Sequence, residues 1–208
     1  MKDLLMTSLV AHYGLPVPTT TNWFIQTVEK YFEIEDTDAG EILLHTTRGL
    51  GMSKFSNQND LDVTIINYDK FITSIQSTPF KNGRQRCDII LNTNDDKYFI
   101  LGEIKDRSIV NKNSQKKVRK GAKEQILASL QTIYAVPEIV AYINLKTRKL
   151  CCYFNKQSDS PVLLNATTAF NRLPNFYPDG FQMSKPDIEA FGFYFFEYTG
   201  EQTMTLRN

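Results

Sequence analysis

Three side chains near the middle of the chain are of the types that manage a divalent cation and a phosphate. They are Asp88, in Arg86-Cys87-Asp88-Ile89-Ile90-Leu91, and Glu103 with Lys105, in Leu101-Gly102-Glu103-Ile104-Lys105. Two carboxylates converging in partly apolar surroundings repel each other, so they either take up a proton or recruit a cation. Mg²⁺ is the natural choice, with Mn²⁺ as a substitute: it takes oxygen ligands at about 2.1 Å, commonly one or two carboxylates with water and phosphate oxygens. A cation held this way lowers the pKa of its bound water and offsets charge growing on a phosphodiester. Lys105 would orient that water or stabilise the developing charge, and Gly102 leaves room for a neighbouring backbone or substrate to come close.

These residues must be positioned by strands. Side chains alternate along a strand, so Glu103 and Lys105 share one face. The turn-forming run Asn92-Thr93-Asn94-Asp95-Asp96 predicts a hairpin between 88–91 and 98–104. Pairing about Asn94 would put Asp88 level with Ile100, within a few residues of Glu103. Upstream, β-branched residues predict a strand over 62–68, a polar, glycine-bearing stretch predicts a loop over 45–60, and Trp23, Phe24, Val28, Tyr31 and Phe32 predict a first helix over 22–34. Downstream, Val118, Ala122, Ile126, Leu130 and Ile133 predict a second helix over 116–134, ended by Pro137. Strands follow at 139–145, 150–154 and 192–198, with a proline-bearing excursion over 155–187. The fold class expected is α/β: a mixed β-sheet flanked by helices, with at least one parallel pairing.

An acid on one strand, then an acid, any residue and a lysine on the next resembles the PD-(D/E)xK nuclease superfamily, with its restriction-endonuclease-like αβββαβ core. Here the pattern is Asp88, fourteen intervening residues, then Glu103-Ile104-Lys105. Cys87 stands where the superfamily's name has proline. The resemblance covers about 22–145 of a single domain, 1–208, and leaves 146–208 as a C-terminal extension. It implies that Asp88 and Glu103 bind metal, that Lys105 positions the nucleophile, and that Glu29 or Glu33 adds a metal ligand from the first helix. It also implies that Gln125 or Lys123 faces the site from the second helix. The Gln-x-x-x-Tyr form of exonuclease relatives is absent, because Ser129 stands at the Tyr position. The activity implied is a Mg²⁺-dependent endonuclease of restriction or phage type, acting on DNA more than RNA, with a homodimer suited to cutting both strands. Sequence recognition would come from the loops at 45–60 and 155–187.

Charge gives a second line. The chain has 24 basic and 23 acidic residues, but 105–123 carries eight basic residues against one acid, while 1–41 carries two against seven. Lys116, Arg119, Lys120 and Lys123 fall on one helical stripe along which a phosphate backbone can lie, and Arg84 and Arg86 add a basic approach to Asp88. The competing reading has Glu103 and Lys105 on a solvated strand face, Asp88 satisfied by Arg84 or Arg86, and the stripe an ordinary solvated helix. Acid-x-Lys also recurs in the predicted turn, at Asp95-Asp96-Lys97. A reading from another functional class is a catalytically silent nuclease-fold binding protein, an immunity factor or accessory subunit. The aromatics of 191–198 read as core, as a base-stacking surface or as a dimer seam. No apolar run reaches the roughly 18 residues of a membrane span. The three cysteines make no even disulfide set, which points to a reducing, cytoplasmic setting.

Overall fold

The computed structural model describes residues 1–18, 20, 22–75, 77, 82, 85–107, 112–157 and 180–207. At its centre β6 (Ile89–Thr93) and β7 (Tyr98–Lys105) form an antiparallel hairpin in which every residue but Lys105 is buried. Strands covered on both faces read as near-continuous apolar runs, which is why Ile89-Ile90-Leu91 and Tyr98-Phe99-Ile100-Leu101 stand out in the sequence. β5 (Val63–Asn67) extends the sheet antiparallel to β6, and β1 (Phe24–Thr27) antiparallel to β5. On the other side β8 (Arg148–Asn155) runs parallel to β7, β10 (Tyr194–Thr199) parallel to β8, and β9 (Phe181–Met183) antiparallel to β10. The result is a seven-stranded mixed sheet of order β1-β5-β6-β7-β8-β10-β9. A second, four-stranded sheet has the order β11-β4-β2-β3, made of β2 (Tyr31–Asp36), β3 (Ile42–His45), β4 (Ser53–Asn57) and β11 (Thr203–Leu206).

Alternation along the central strands assigns each face a partner. Ile66, Ile90, Phe99, Leu101 and Tyr153 pack with the helices, while Ile65, Ile89, Leu91, Ile100 and Phe154 pack with Phe32, Ile34 and Phe55 of the second sheet. The neighbours Cys151 and Cys152 therefore enter opposite cores, and with Cys87 they are free, buried thiols. The helical layer comprises α1, which runs Lys2–Leu4, widens to a π-turn over Leu5–Leu9 and closes as Val10–His12. It continues with α2 (Tyr68–Ser74), α3 (Lys112–Tyr134), α4 (Pro137–Asn144) and α5 (Pro186–Glu189). α3 buries Ala122, Ile126, Leu130 and Ile133 and half-buries Val118 of the stripe expected of it; each fully buried Leu or Ile there contributes about 1.5–3 kcal/mol. Among the described residues no single helix is long and apolar enough to cross a membrane.

Four expectations fail, each for a local reason. Residues 22–34 form β1 and β2, not a helix: Thr27 Oγ1 accepts from the Glu29 amide to make a turn, and Val28, which a helix would bury, is 58% exposed. Two short strands with their own two-residue alternation happened to fit a 3.6-residue period. The first helix is instead at the N-terminus, as α1. Residues 139–145 form most of α4 rather than a strand, since Pro137 occupies the first helical turn and Ile139 and Ile143, four apart, are the buried pair. The loop at 45–60 contains β4, and the described strands of the expected C-terminal extension, β8 to β11, are integral to the two sheets rather than appended to them. Most of the excursion at 155–187 lies outside the described residues.

Candidate functional site

Asp88 is held at the entrance to β6 from three directions. Its carbonyl accepts from the Tyr68 amide at 2.8 Å, at the start of α2, where Asn67 caps the helix by accepting from the Lys70 amide. From α3, Ser129 Oγ accepts from the Cys87 amide at 2.8 Å and Gln125 Nε2 donates to the Arg86 carbonyl at 3.1 Å. Asp88 Oδ2 itself accepts from the Ile104 amide at 2.7 Å. Gln125 thus acts on the backbone leading into Asp88, and Ser129 does what no tyrosine there would.

The hairpin register brings the acids closer than expected. Ile89 pairs with Gly102, so the next position outward sets Asp88 opposite Glu103, three residues beyond the Ile100 level. The turn explains the shift. Asp95 Oδ1 accepts from the Thr93 hydroxyl and from the Lys97 amide, centring the reversal on 95–96 rather than on Asn94. This also accounts for the second acid-x-Lys sequence, whose acid is part of a turn. Gly102 is needed, though for packing: a β-carbon there would meet Ile89 Cγ1 at 2.7 Å, so a side chain occupies the space expected for substrate.

Lys105 Nζ lies 2.5 Å from Glu103 Oε1 and 3.7 Å from Asp88 Oδ2. Glu103 is fully buried, and neither carboxylate oxygen has a hydrogen bond of good geometry among the described residues, leaving the Lys105 ion pair as its close polar contact. Burial first, and then the Asp88 charge, push the Glu103 carboxyl up to about 9 against the pull of Lys105. Burial likewise raises Asp88. Lys105 is held above its ordinary value: burial lowers it, but Glu103 and Asp88 more than reverse that.

A third acid was missed. Asp36, the last residue of β2, has its carboxyl raised to about 6 by burial and then by Asp88, with Lys105 opposing. It reaches the site from the second sheet, and its field also raises Glu103. Only the stacking of two sheets brings it there, and no local pattern announces that. Glu29 is on the exposed turn after β1, at the Val63–Thr93 end of the sheet and so opposite to the site. Glu33 is buried and accepts from the Tyr31 hydroxyl and the Gly49 and Gly51 amides. Burial raises its carboxyl, but those hydrogen bonds leave it below its ordinary value, and its work is to hold the turn before β4.

The basic residues are brought together but largely engaged. Arg84 lies outside the described residues. Arg86 pairs with Asp69 at 2.5 Å rather than with Asp88. On α3, Arg119 pairs with the buried Glu197 of β10 at 3.0 Å, Lys123 with Asp187 at 2.5 Å, and Lys120 with Glu124 at 3.6 Å, while Lys116 is exposed. With Lys185 these four line a cavity of about 400 Å³. Glu197 is in register with Tyr153, and Tyr153 with Glu103. At about 4.8 Å per strand spacing, the cavity lies about 10 Å across the same sheet face from Glu103.

No family model matches the chain, and no curated protein or solved structure matches it either. Among the described residues no group of three or more His, Cys, Asp or Glu side chains is arranged to hold a metal ion. Asp88 and Glu103 are the two carboxylates that the hairpin register sets opposite each other, and two carboxylates completed by water and phosphate oxygens are a common way of holding Mg²⁺. The buried, hydrogen-bond-poor oxygens of Glu103 fit such a role.

Proposed function

We propose that the protein is a Mg²⁺-dependent nuclease that hydrolyses phosphodiester bonds, with DNA as the favoured substrate. The observation that carries this reading is the register match of Asp88 with Glu103, with Lys105 within ion-pair reach of both. The adjacent antiparallel strands β5, β6 and β7, interrupted by α2 after β5 and followed by α3, α4 and β8 parallel to β7, support a comparison with the αβββαβ order of the PD-(D/E)xK superfamily. Asp88 and Glu103 would hold the ion, which when bound supplies an acidified water and charge neutralisation at phosphorus. Lys105 would turn from Glu103 to orient that water and stabilise the negative charge that grows on the phosphate. Asp36, whose carboxyl is raised to about 6, would accept a proton from water near Lys105. Gln125 and Ser129 act as positioning residues, fixing the backbone that aims Asp88. The cavity beside Lys116 and Lys120 would take a neighbouring phosphate.

A second reading is that of a binding protein on the same scaffold without turnover. It is favoured by the ion pairs that occupy Lys105, Arg119 and Lys123. One experiment separates the two: supercoiled and linear DNA incubated with Mg²⁺, with EDTA, and with the Glu103→Ala variant. Metal-dependent cleavage lost in EDTA and in the variant is the expected result. Cleavage that survives Glu103→Ala removes the assignment, and salt-sensitive binding without cleavage moves it to the second reading.

A further inference from the structure

The aromatic run of 191–198 divides between the two faces of the large sheet. Phe193 and Phe195 are buried with the helices, while Tyr194, Phe196 and Tyr198 face the other way. There they line a cleft of about 260 Å³ between β7, β8, β10 and β11, closed by Tyr98 and rimmed by Arg148 and Arg207, with no acid among the described residues that line it. Tyr194 is 57% exposed. Phe196 and Tyr198 have ring centroids 6.5 Å apart, and Tyr198 stacks on Phe154 at 5.1 Å, so its plane is fixed from behind. The Arg148 guanidinium carbon is 5.5 Å from the Tyr98 ring centroid, and the Tyr98 hydroxyl accepts from the Arg207 amide at 2.7 Å, tying the end of β11 to the wall of the cleft.

Aromatic faces flanked by arginines select a ligand that is planar, apolar on its faces and anionic at one edge. The volume is just below the roughly 300–1,000 Å³ of sites that enclose a drug-sized molecule, so it suits one ring system rather than several. We propose that the cleft is a stacking site for an unpaired base of single-stranded nucleic acid, with the adjoining phosphate on Arg148. Stacking of this kind is tolerant of sequence, because every base has a π-face. The site is separate from the carboxylates: Tyr98 and Lys105 are at opposite ends of β7, seven residues or about 23 Å apart, and on opposite faces. It therefore does not rest on the nuclease reading.

The test is fluorescence anisotropy with a labelled eight-residue oligothymidylate in EDTA, where metal-dependent cutting cannot intervene, with thymidine monophosphate as competitor. Stacking predicts that Tyr194→Ala weakens binding about five- to 160-fold while Tyr194→Phe binds like the wild type. Tyr194 is on the surface of a strand, and thermal melting checks that the variants fold. Loss of one phosphate contact in Arg148→Ala reduces the slope of log affinity against log salt by about 0.7. Three results overturn the proposal: no oligonucleotide binding at millimolar concentration, binding indifferent to both Tyr194→Ala and Arg148→Ala, or binding of the mononucleotide alone. None of them bears on cleavage at Glu103.

Discussion

Glu103 carries a cost that can be read as a pH profile. Its carboxyl is raised from an unfolded value near 4.5 to about 9, so the folded state prefers it protonated. That preference, set by burial and Asp88 against the pull of Lys105, contributes stability that is complete below about pH 4.5 and is lost as pH rises through about 9. In EDTA the melting temperature of the wild type should fall between pH 5 and pH 9, and Glu103→Gln should flatten that decline. An unchanged slope in the variant would show that the carboxyl is ionised throughout. Asp88, Glu103 and Lys105 were legible in the sequence because they flank apolar runs joined by a turn-forming stretch, which together mark a hairpin. Asp36 was not, because its approach depends on contacts between layers far apart in the chain. The whole acidic segment 1–41 gains sense from this: part of the negative charge it carries is delivered to the site by β2.

At the level of elements, α3 is a clamp on the strand that bears Asp88. Ser129→Ala would leave the buried Cys87 amide without its acceptor, at about 1–3 kcal/mol, and urea denaturation measures it. The same variant should lower any cleavage more than its stability loss explains, since it loosens the approach to Asp88; intact activity would make Ser129 a purely structural residue. Gly102→Ala drives a β-carbon against Ile89 and should cost about 1–3 kcal/mol by overpacking. Combined with Ile89→Ala the two losses should sum to less than their separate values, because the second removes the atoms the first collides with. Strict additivity would locate the strain elsewhere. α3, β5, β6, β7, β8 and β10 were readable because each is long or carries a run of β-branched or aromatic residues. β1, β2 and α4 were misread because short segments satisfy two periods at once; at α4 the proline at its start and the Ile139–Ile143 spacing held the correcting signal.

Over the whole molecule, near-neutral charge is reached by pairing, not by uniform mixing. The basic stripe of α3 faces acids delivered by β10 and by the start of α5, so its field is partly spent before any phosphate arrives. Asp187→Asn frees Lys123 at a position 38% exposed in the acid's side chain. It should tighten duplex binding at low salt and steepen the dependence of log affinity on log salt by about 0.9, one phosphate's share. Identical salt curves for variant and wild type would show that nucleic acid does not touch this side of α3. The layered plan itself was foreseeable as α/β; the second sheet was not, because its strands are short and two of them lie in segments whose composition suggests a helix or a loop.

The pairing of β11 with β4 has a consequence for how the chain matures. β4 leaves the ribosome about 150 residues ahead of the strand that covers its edge, a delay of about 7–30 s at translation rates of roughly 5–20 residues per second. Throughout that interval a strand with unmet amide and carbonyl groups is open to any other chain that passes. Yield from a slowed translation system should therefore suffer through aggregation well before the finished protein shows any weakness.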